Sequence, residues 1–182
     1  MAKKLLVFTN HFYPENFKIN ELVEFLDSSN FEIKVITGIP NYPSGKIYKN
    51  YGFFKKSKEK LFKGTTVRRL PLIPRGKGKK INLLLNYSTY FISVFFYTLW
   101  LIISNKKYEL VLVHHTSPFF LTIPATIYSK YFKSFSLLWD LDYWPDTLLA
   151  LDILKRGFVF DFFDKICALI YRKFDLVLVG SS

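Results

Sequence analysis

The stretch Leu5-Leu-Val-Phe-Thr9 decides the fold, because it is the first of several short apolar runs bounded by turn-forming or charged residues. Similar runs follow at residues 33–37, 67–72, 110–113, 135–141 and 176–179. Longer helical patterns lie between most of them, at residues 19–26, 81–103, 119–132 and 158–174. Near-continuous apolar strands that alternate with helices are typical of a parallel sheet covered on both faces. The sequence therefore predicts an α/β fold, with one doubly wound, mostly parallel, Rossmann-like domain over residues 1–182.

The composition excludes several classes of protein. Half of the 182 residues are hydrophobic and 22% are charged, which is typical of a packed domain and not of a disordered chain. A single cysteine, Cys167, excludes an internal disulfide and a metal site made of several thiolates. The sequence contains neither a complete Gly-rich dinucleotide motif nor a P-loop. We therefore expect no metal and no cofactor.

Most of the net charge of +12 comes from one segment. Residues 55–80 contain eleven Lys or Arg side chains and one acid, Glu59. Glycines and prolines interrupt the same segment, so we expect a basic surface loop over residues 53–80 with a short hairpin around Gly64. A patch of this kind attracts phosphates, which belong to lipid headgroups, nucleic acids or sugar nucleotides.

The uncharged stretch at residues 81–103 is long enough to cross a membrane. Its polar residues recur three or four positions apart, which places Asn82, Asn86, Thr89 and Ser93 in one stripe of a helix. A span that faced lipid on all sides would not need that stripe. We therefore expect a helix packed on the domain with an apolar face toward the membrane; the alternatives are a single span and plain burial. The residues expected at the membrane surface are Lys77, Lys79, Lys80 and Trp100.

Candidate site residues lie in the loops after the predicted strands, where open α/β sheets bind ligands. The densest acidic segment is Trp139-Asp-Leu-Asp-Tyr-Trp-Pro-Asp146. Its carboxylates and indoles suit hydrogen bonding and stacking against a sugar. We expect Asp146 to cap the next helix and Trp139 to lie in the core. Asp142 is left as the acid suited to positioning or deprotonating a hydroxyl group.

The adjacent residues His114 and His115 end a predicted strand. Their side chains are expected to point to opposite faces of the sheet, so the two cannot chelate one metal ion. Each is either a structural histidine or, beside a carboxylate, a group that orients a substrate hydroxyl.

Four ordered motifs resemble those of a known family. They are Asn10-His-Phe-Tyr-Pro-Glu15, Thr37-Gly-Ile-Pro-Asn-Tyr-Pro-Ser-Gly-Lys-Ile-Tyr48, Thr116-Ser-Pro118 and Asp142-Tyr-Trp-Pro-Asp146. Together they resemble the N-terminal domain of bacterial glycosyltransferase family 4 enzymes, which have the GT-B fold. The resemblance spans essentially the whole chain. Members of this branch build O-antigen, capsule and related surface polysaccharides, usually on a polyprenyl-diphosphate-linked acceptor.

The resemblance implies the acceptor-side half of such an enzyme, peripheral to the cytoplasmic face of the inner membrane. The nucleotide-sugar donor would bind a second Rossmann-like domain, and the chain ends before it, so we expect the chain alone to be inactive. The expected catalytic residues are Asp142 and His115. The residues expected to bind the lipid-linked saccharide are Asn10, His11, Tyr13, Glu15, Asn41, Tyr42, Ser117 and Trp144.

Two other functions are compatible with the composition. A basic chain rich in aromatic residues is also typical of a nucleic-acid-binding module. Most aromatics here lie in apolar helices and not among the Lys and Arg side chains, so we expect no nucleic-acid partner. The remaining alternative is a truncated, non-catalytic protein of the membrane surface.

Overall fold

A single sheet of seven strands organises the chain, of which the computed structural model describes residues 2–116, 118–150, 152 and 154–180. The strands are β1 (Lys3–Thr9), β2 (Phe31–Gly38), β3 (Lys58–Leu61), β4 (Thr65–Leu70), β5 (Leu110–His115), β6 (Phe135–Asp140) and β7 (Leu176–Val179). In space they follow the order β3-β4-β2-β1-β5-β6-β7. Every neighbouring pair is parallel except β3 and β4, which form an antiparallel hairpin. The mostly parallel sheet is therefore confirmed.

Helices cover both faces of this sheet. They are α1 (Ile19–Ser28), α2 (Lys80–Ile103), α3 (Ile123–Phe132), α4 (Asp146–Ala150) and α5 (Phe158–Tyr171), and a 3-10 turn at Phe119–Thr122 precedes α3. Because side chains alternate along a strand, the core has two parts. Leu6 of β1 packs in the cluster that contains Tyr90 of α2, whereas Val7 packs in the cluster that contains Val23 of α1. The predicted doubly wound, Rossmann-like fold is confirmed.

Burial on both faces explains why the central strands are almost continuously apolar. The last five residues of β1 and the last four of β2 are all buried. Both strands have a neighbour on each side, so their side chains meet helices above and below the sheet. Each fully buried aliphatic side chain of this kind stabilises the fold by about 1.5–3 kcal/mol.

The segment at residues 53–80 differs from the expected surface loop. The hairpin near Gly64 is present, but its strands join the sheet as β3 and β4, and Val67 lies in the core. Alternation along β4 also separates two adjacent cations. Arg69 is buried and paired with Glu59, whereas Arg68 is half-buried on the other face. The basic segment therefore forms one edge of the sheet in addition to a surface loop.

The polar stripe of α2 points into the protein. Asn86 is buried and donates to the carbonyl of Ile73 at 2.6 Å, and Ser93 donates to the carbonyl of Pro71 at 2.7 Å. After Lys80, the exposed side chains of α2 are all apolar and form what we call the exposed face of α2: Ile81, Leu84, Leu85, Ile92, Phe96, Trp100 and Ile103. This polarity is the reverse of that of an ordinary surface helix. Among the described residues, α2 is the one helix long and apolar enough to cross a membrane.

Candidate active site

Glu15 joins the loop after β1 to the loop after β2 at the carboxyl edge of the sheet. Its carboxylate is 1% exposed. Oε1 accepts the backbone N–H of Asn41 at 2.7 Å and that of Tyr42 at 2.6 Å, and Oε2 lies 2.9 Å from Nδ1 of His11. A buried carboxylate needs such donors, because without them its desolvation is unfavourable. Four of the predicted acceptor-binding residues therefore lie together, with Glu15 holding the loops in place.

Aromatic rings surround His11 at the rim of this edge. The His11 ring stacks on Phe17 with centroids 4.7 Å apart, and the Tyr42 ring lies 5.3 Å away. The Arg75 guanidinium lies 5.1 Å from the centroid of the Tyr42 ring. Tyr42 and Tyr13 are both exposed. The rim therefore offers stacking surfaces and one cation to a ligand.

Asn41 fastens the loop after β4 to the same edge. Its side-chain Nδ2 donates to the carbonyl of Ile39 at 2.9 Å, and Oδ1 accepts the backbone N–H of Arg75 at 3.1 Å. The side chain is 1% exposed. Asn41 therefore acts on the site by fixing the loops that carry Tyr42 and Arg75.

His114 is a neutral histidine held by Thr9. The Thr9 hydroxyl donates to the carbonyl of His11 at 2.9 Å, so its oxygen accepts the Nδ1–H of His114 at 3.0 Å. Burial, with smaller contributions from the charges of His11 and His115, lowers the pKa of His114 to about 4. At neutral pH the ring therefore carries one proton, on Nδ1.

His115 belongs to a chain of hydrogen bonds on the other face of β5. It lies directly beside Asp140 of β6, and Nδ1 is 2.5 Å from Oδ1 of that carboxylate. The Tyr171 hydroxyl donates to Oδ2 of Asp140. Burial and Asp140 raise the pKa of Tyr171, so the phenol stays protonated as the donor. This arrangement is a base oriented by a carboxylate, with Nε2 left as an acceptor.

A small cavity lies where the ends of β1 and β5 meet Tyr90 and Val94 of α2. Thr9, Asn10, His114 and His115 are among the residues that line it. Within the described residues, Nε2 of each histidine is buried without a hydrogen-bond partner. Two buried acceptors are unfavourable unless a hydroxyl or a water donates to them. The predicted opposite orientation of the two histidines is confirmed, since His114 contacts Trp139 and His115 contacts Phe119.

Asp142 lies outside β6, in the bend that follows it. The strand ends at Asp140, so Asp140 and Asp142 do not lie on one face of the same strand. Asp142 is half-buried, and no hydrogen bond or ion pair joins it to another residue in the described ranges 2–116, 118–150, 152 and 154–180. Its carboxylate is therefore available to a ligand, whereas Asp140 is committed to His115.

The other predicted residues lie at various positions. Trp144 is half-buried against the core on the α2 side, and its backbone N–H lies 3.4 Å from the Tyr171 hydroxyl. Asp146 is the first residue of α4, and its side chain makes no hydrogen bond among the described residues, so the expected cap is not observed. Trp139 packs against the core on the α1 side, as expected. Ser117 lies outside the described residues.

The residues predicted at the membrane surface lie toward opposite ends of α2. Lys77, Lys79 and Lys80 are exposed at its beginning, and Trp100 is 48% exposed near its end. Lys80 and Trp100 are 20 residues apart in α2, so the two groups are separated by about 30 Å along its axis. The lysines lie at the start of the exposed face of α2, and Trp100 belongs to that face.

Sequence reasoning did not assign site roles to Asp140, Tyr171, Thr9 and Arg75. Asp140 and His115 come together only through the register of β5 and β6, which the sequence does not reveal. Arg75 was one of many cations in the basic segment. A usable signal existed for Asp140, since an acid within a buried apolar strand needs a partner. No cluster of His, Cys, Asp or Glu suited to a metal ion occurs among the described residues.

Comparison with known proteins gives a distant relationship. No family model matches the sequence. The chain is 25% identical over 159 residues to WcaI of Escherichia coli (strain K12), a protein named as a colanic acid biosynthesis glycosyl transferase. The match covers 85% of this chain and 38% of WcaI. The chain is therefore related to a glycosyltransferase of polysaccharide biosynthesis, and it spans well under half of that relative's length.

Proposed function

We propose that this chain is the acceptor-side part of a glycosyltransferase that transfers a sugar from a nucleotide-sugar to a polyprenyl-diphosphate-linked saccharide. The products are polysaccharides of the O-antigen or capsule type. Support comes from the relationship to WcaI and from the motifs that resemble glycosyltransferase family 4. The observation that carries the proposal is the carboxyl edge itself, where Glu15 joins the loops after β1 and β2 and where Asp142, which has no bonded partner among the described residues, follows β6.

The acceptor-binding role follows from the chemistry of the rim. A lipid-linked saccharide has hydroxyl groups, ring faces and a diphosphate. Tyr42 and Tyr13 offer exposed rings to the sugar, and Arg75 offers a guanidinium to the diphosphate. No carboxylate of the described residues pairs with Arg75, whose guanidinium lies 3.4 Å from the Tyr87 hydroxyl. The cation is therefore free to bind an anionic ligand.

Two groups are assigned to the reacting hydroxyl. Asp142, half-buried at the end of β6, accepts its proton or its hydrogen bond. His115, held by Asp140 at the end of β5, is assigned as the second group, whose Nε2 positions the sugar. The donor nucleotide-sugar is assigned to a further domain, in keeping with the fraction of WcaI that the chain matches.

The proposed location is the cytoplasmic surface of the inner membrane. The exposed face of α2 is apolar along the whole helix, and Lys77, Lys79 and Lys80 lie at its start. Apolar side chains enter the interface while cations contact anionic headgroups, each contributing about 1 kcal/mol. In this proposed location, the carboxyl edge is near the lipid that carries the acceptor.

The acceptor-binding proposal is tested with farnesyl diphosphate, a short soluble analogue of the lipid carrier, in an NMR titration of the ¹⁵N-labelled chain. We expect amide signals of Tyr42, Arg75 and Asp142 to shift. Arg75→Gln should weaken binding about 10- to 100-fold, because a charged hydrogen bond is worth about 1.5–3 kcal/mol. Arg156→Gln is the matched control, since that guanidinium lies 5.8 Å from the Phe160 ring in another part of the chain. Equal binding by both variants would contradict the proposal.

A further inference from the structure

A second group of cations lies on the face of the sheet that α2 covers, at the edge opposite β7. Strand register places Lys34 beside Thr66 and Thr66 beside Lys60 in one row. The next row on the same face contains Arg68 beside Lys58. Four cations therefore project from neighbouring positions of three strands. Like charges this close destabilise a sheet when nothing neutralises them.

Two aromatic residues of α2 close over these cations. Tyr97 and Trp100 are stacked, with ring centroids 5.2 Å apart. The Lys34 ammonium lies 5.5 Å and the Arg68 guanidinium 5.6 Å from the centroid of the Tyr97 ring. Together with Lys58 and Thr66 they line a cavity of about 380 Å³, which we call the basic pocket. Its volume is sufficient for a phosphate ester.

No carboxylate neutralises the basic pocket within the described residues. Glu32, which lines the adjoining surface, is paired with Lys4 at 3.6 Å. Nε of Arg68 is buried without a hydrogen-bond acceptor. Lys34 is half-buried beside Arg68, and burial and the charge of Arg68 lower the pKa of its ammonium. An anion in the pocket would supply the missing acceptor and relieve this repulsion.

The basic pocket is continuous with an apolar surface. Trp100 lines the pocket and also belongs to the exposed face of α2, next to Phe96, which is 65% exposed. A ligand that combines a phosphate with hydrocarbon chains therefore complements both parts. A free phosphate would use the pocket and leave the apolar face uncovered.

We propose that the basic pocket of Lys34, Lys58 and Arg68 binds the phosphate group of an anionic membrane lipid, whose acyl chains lie along the exposed face of α2. This lipid differs from the acceptor, because the pocket lies on the α2 face of the sheet and shares no lining residue with the loops of the candidate active site. The inference uses the membrane placement proposed above and is independent of sugar transfer. Bound lipid would fix the orientation of the domain on the bilayer.

The test is a titration of the ¹⁵N-labelled chain with dihexanoyl phosphatidylglycerol below its micelle concentration. We expect amide signals of Lys34, Thr66 and Arg68 and the indole signal of Trp100 to shift. The double variant K34Q/R68Q should bind about 25-fold more weakly, at roughly fivefold for each cation removed. K34R/R68K keeps both charges and should bind within a few-fold of the unmodified chain. K18Q/K63Q removes two exposed lysines elsewhere and should leave binding unchanged.

Each other outcome overturns the inference in an identifiable way. Inorganic phosphate that binds as tightly as the lipid would assign the pocket to free phosphate. A short single-stranded RNA that displaces the lipid would make it a nucleic-acid site. Absent shifts in the pocket, or equal losses in K34Q/R68Q and K18Q/K63Q, would refute lipid binding there. Failure of farnesyl diphosphate to bind the carboxyl edge would count against the proposed function and leave this result unaffected.

Discussion

The neutral, buried state of His114 predicts a specific loss of stability in acid. The pKa of its imidazole is 6.5 in an exposed reference state and about 4 in the folded chain, chiefly because of burial. Below pH 6.5 the unfolded chain takes up a proton that the folded chain does not, so folding becomes less favourable as the pH falls toward 4. The difference between the two pKa values is worth roughly 3 kcal/mol. Above pH 6.5 the full stabilisation is present.

The assay is urea unfolding at several pH values between 7 and 4, for the unmodified chain and for His114→Asn. The Asn amide keeps a donor for the Thr9 hydroxyl, which His114 contacts at 3.0 Å, but does not titrate. Other groups titrate in both proteins, so the difference between the two curves isolates His114. We expect the unmodified chain to lose about 3 kcal/mol more than the variant between pH 6.5 and 4. Parallel curves would refute the assignment of His114 as a buried neutral group.

Two further predictions concern the loops and the membrane. Glu15→Ala removes the acceptor of three buried hydrogen bonds and should lower the free energy of unfolding by roughly 3 kcal/mol or more; Glu21→Ala, on the exposed part of α1, should change it by less than about 1 kcal/mol in the same urea assay. Phe96→Ser should weaken flotation with anionic vesicles about tenfold, because roughly 1.5–3 kcal/mol accompanies burial of such a side chain; Phe25→Ser, exposed on α1, should not, and equal losses would contradict the placement of α2.

The strands were predictable because burial on both faces leaves a simple apolar signal. The run Leu5–Thr9 lies within β1, and residues 176–179 match the bounds of β7. The direction of the α2 stripe was not predictable, since the spacing of Asn86 and Ser93 shows that polar residues share a face but not which neighbour they meet. In the structure these two side chains donate hydrogen bonds to the carbonyls of Ile73 and Pro71.

The candidate site was predictable in part. The loop motifs identified His11, Glu15 and Tyr42, which the structure brings together. The sequence indicates that Asp140 needs a partner but does not identify His115 as that partner, because the pairing depends on the register of β5 and β6. The fates of the cations in the basic segment were also not predictable from the sequence. Arg68 and Arg69 are adjacent in β4, yet Arg69 is buried and Arg68 lines the basic pocket on the other face of the sheet.

The central claim is that Asp142 contacts the reacting hydroxyl of the acceptor, and the most direct test is the rate of sugar transfer by a form of the protein that includes a nucleotide-sugar-binding domain. Asp142→Asn should reduce the rate by about 10²–10⁴-fold with an unchanged melting temperature, because the half-buried carboxylate has no bonded partner among the described residues. Asp146→Asn, an isosteric change at the exposed start of α4, should transfer at nearly the normal rate. A near-normal rate for Asp142→Asn would contradict the account and move the chemistry to His115.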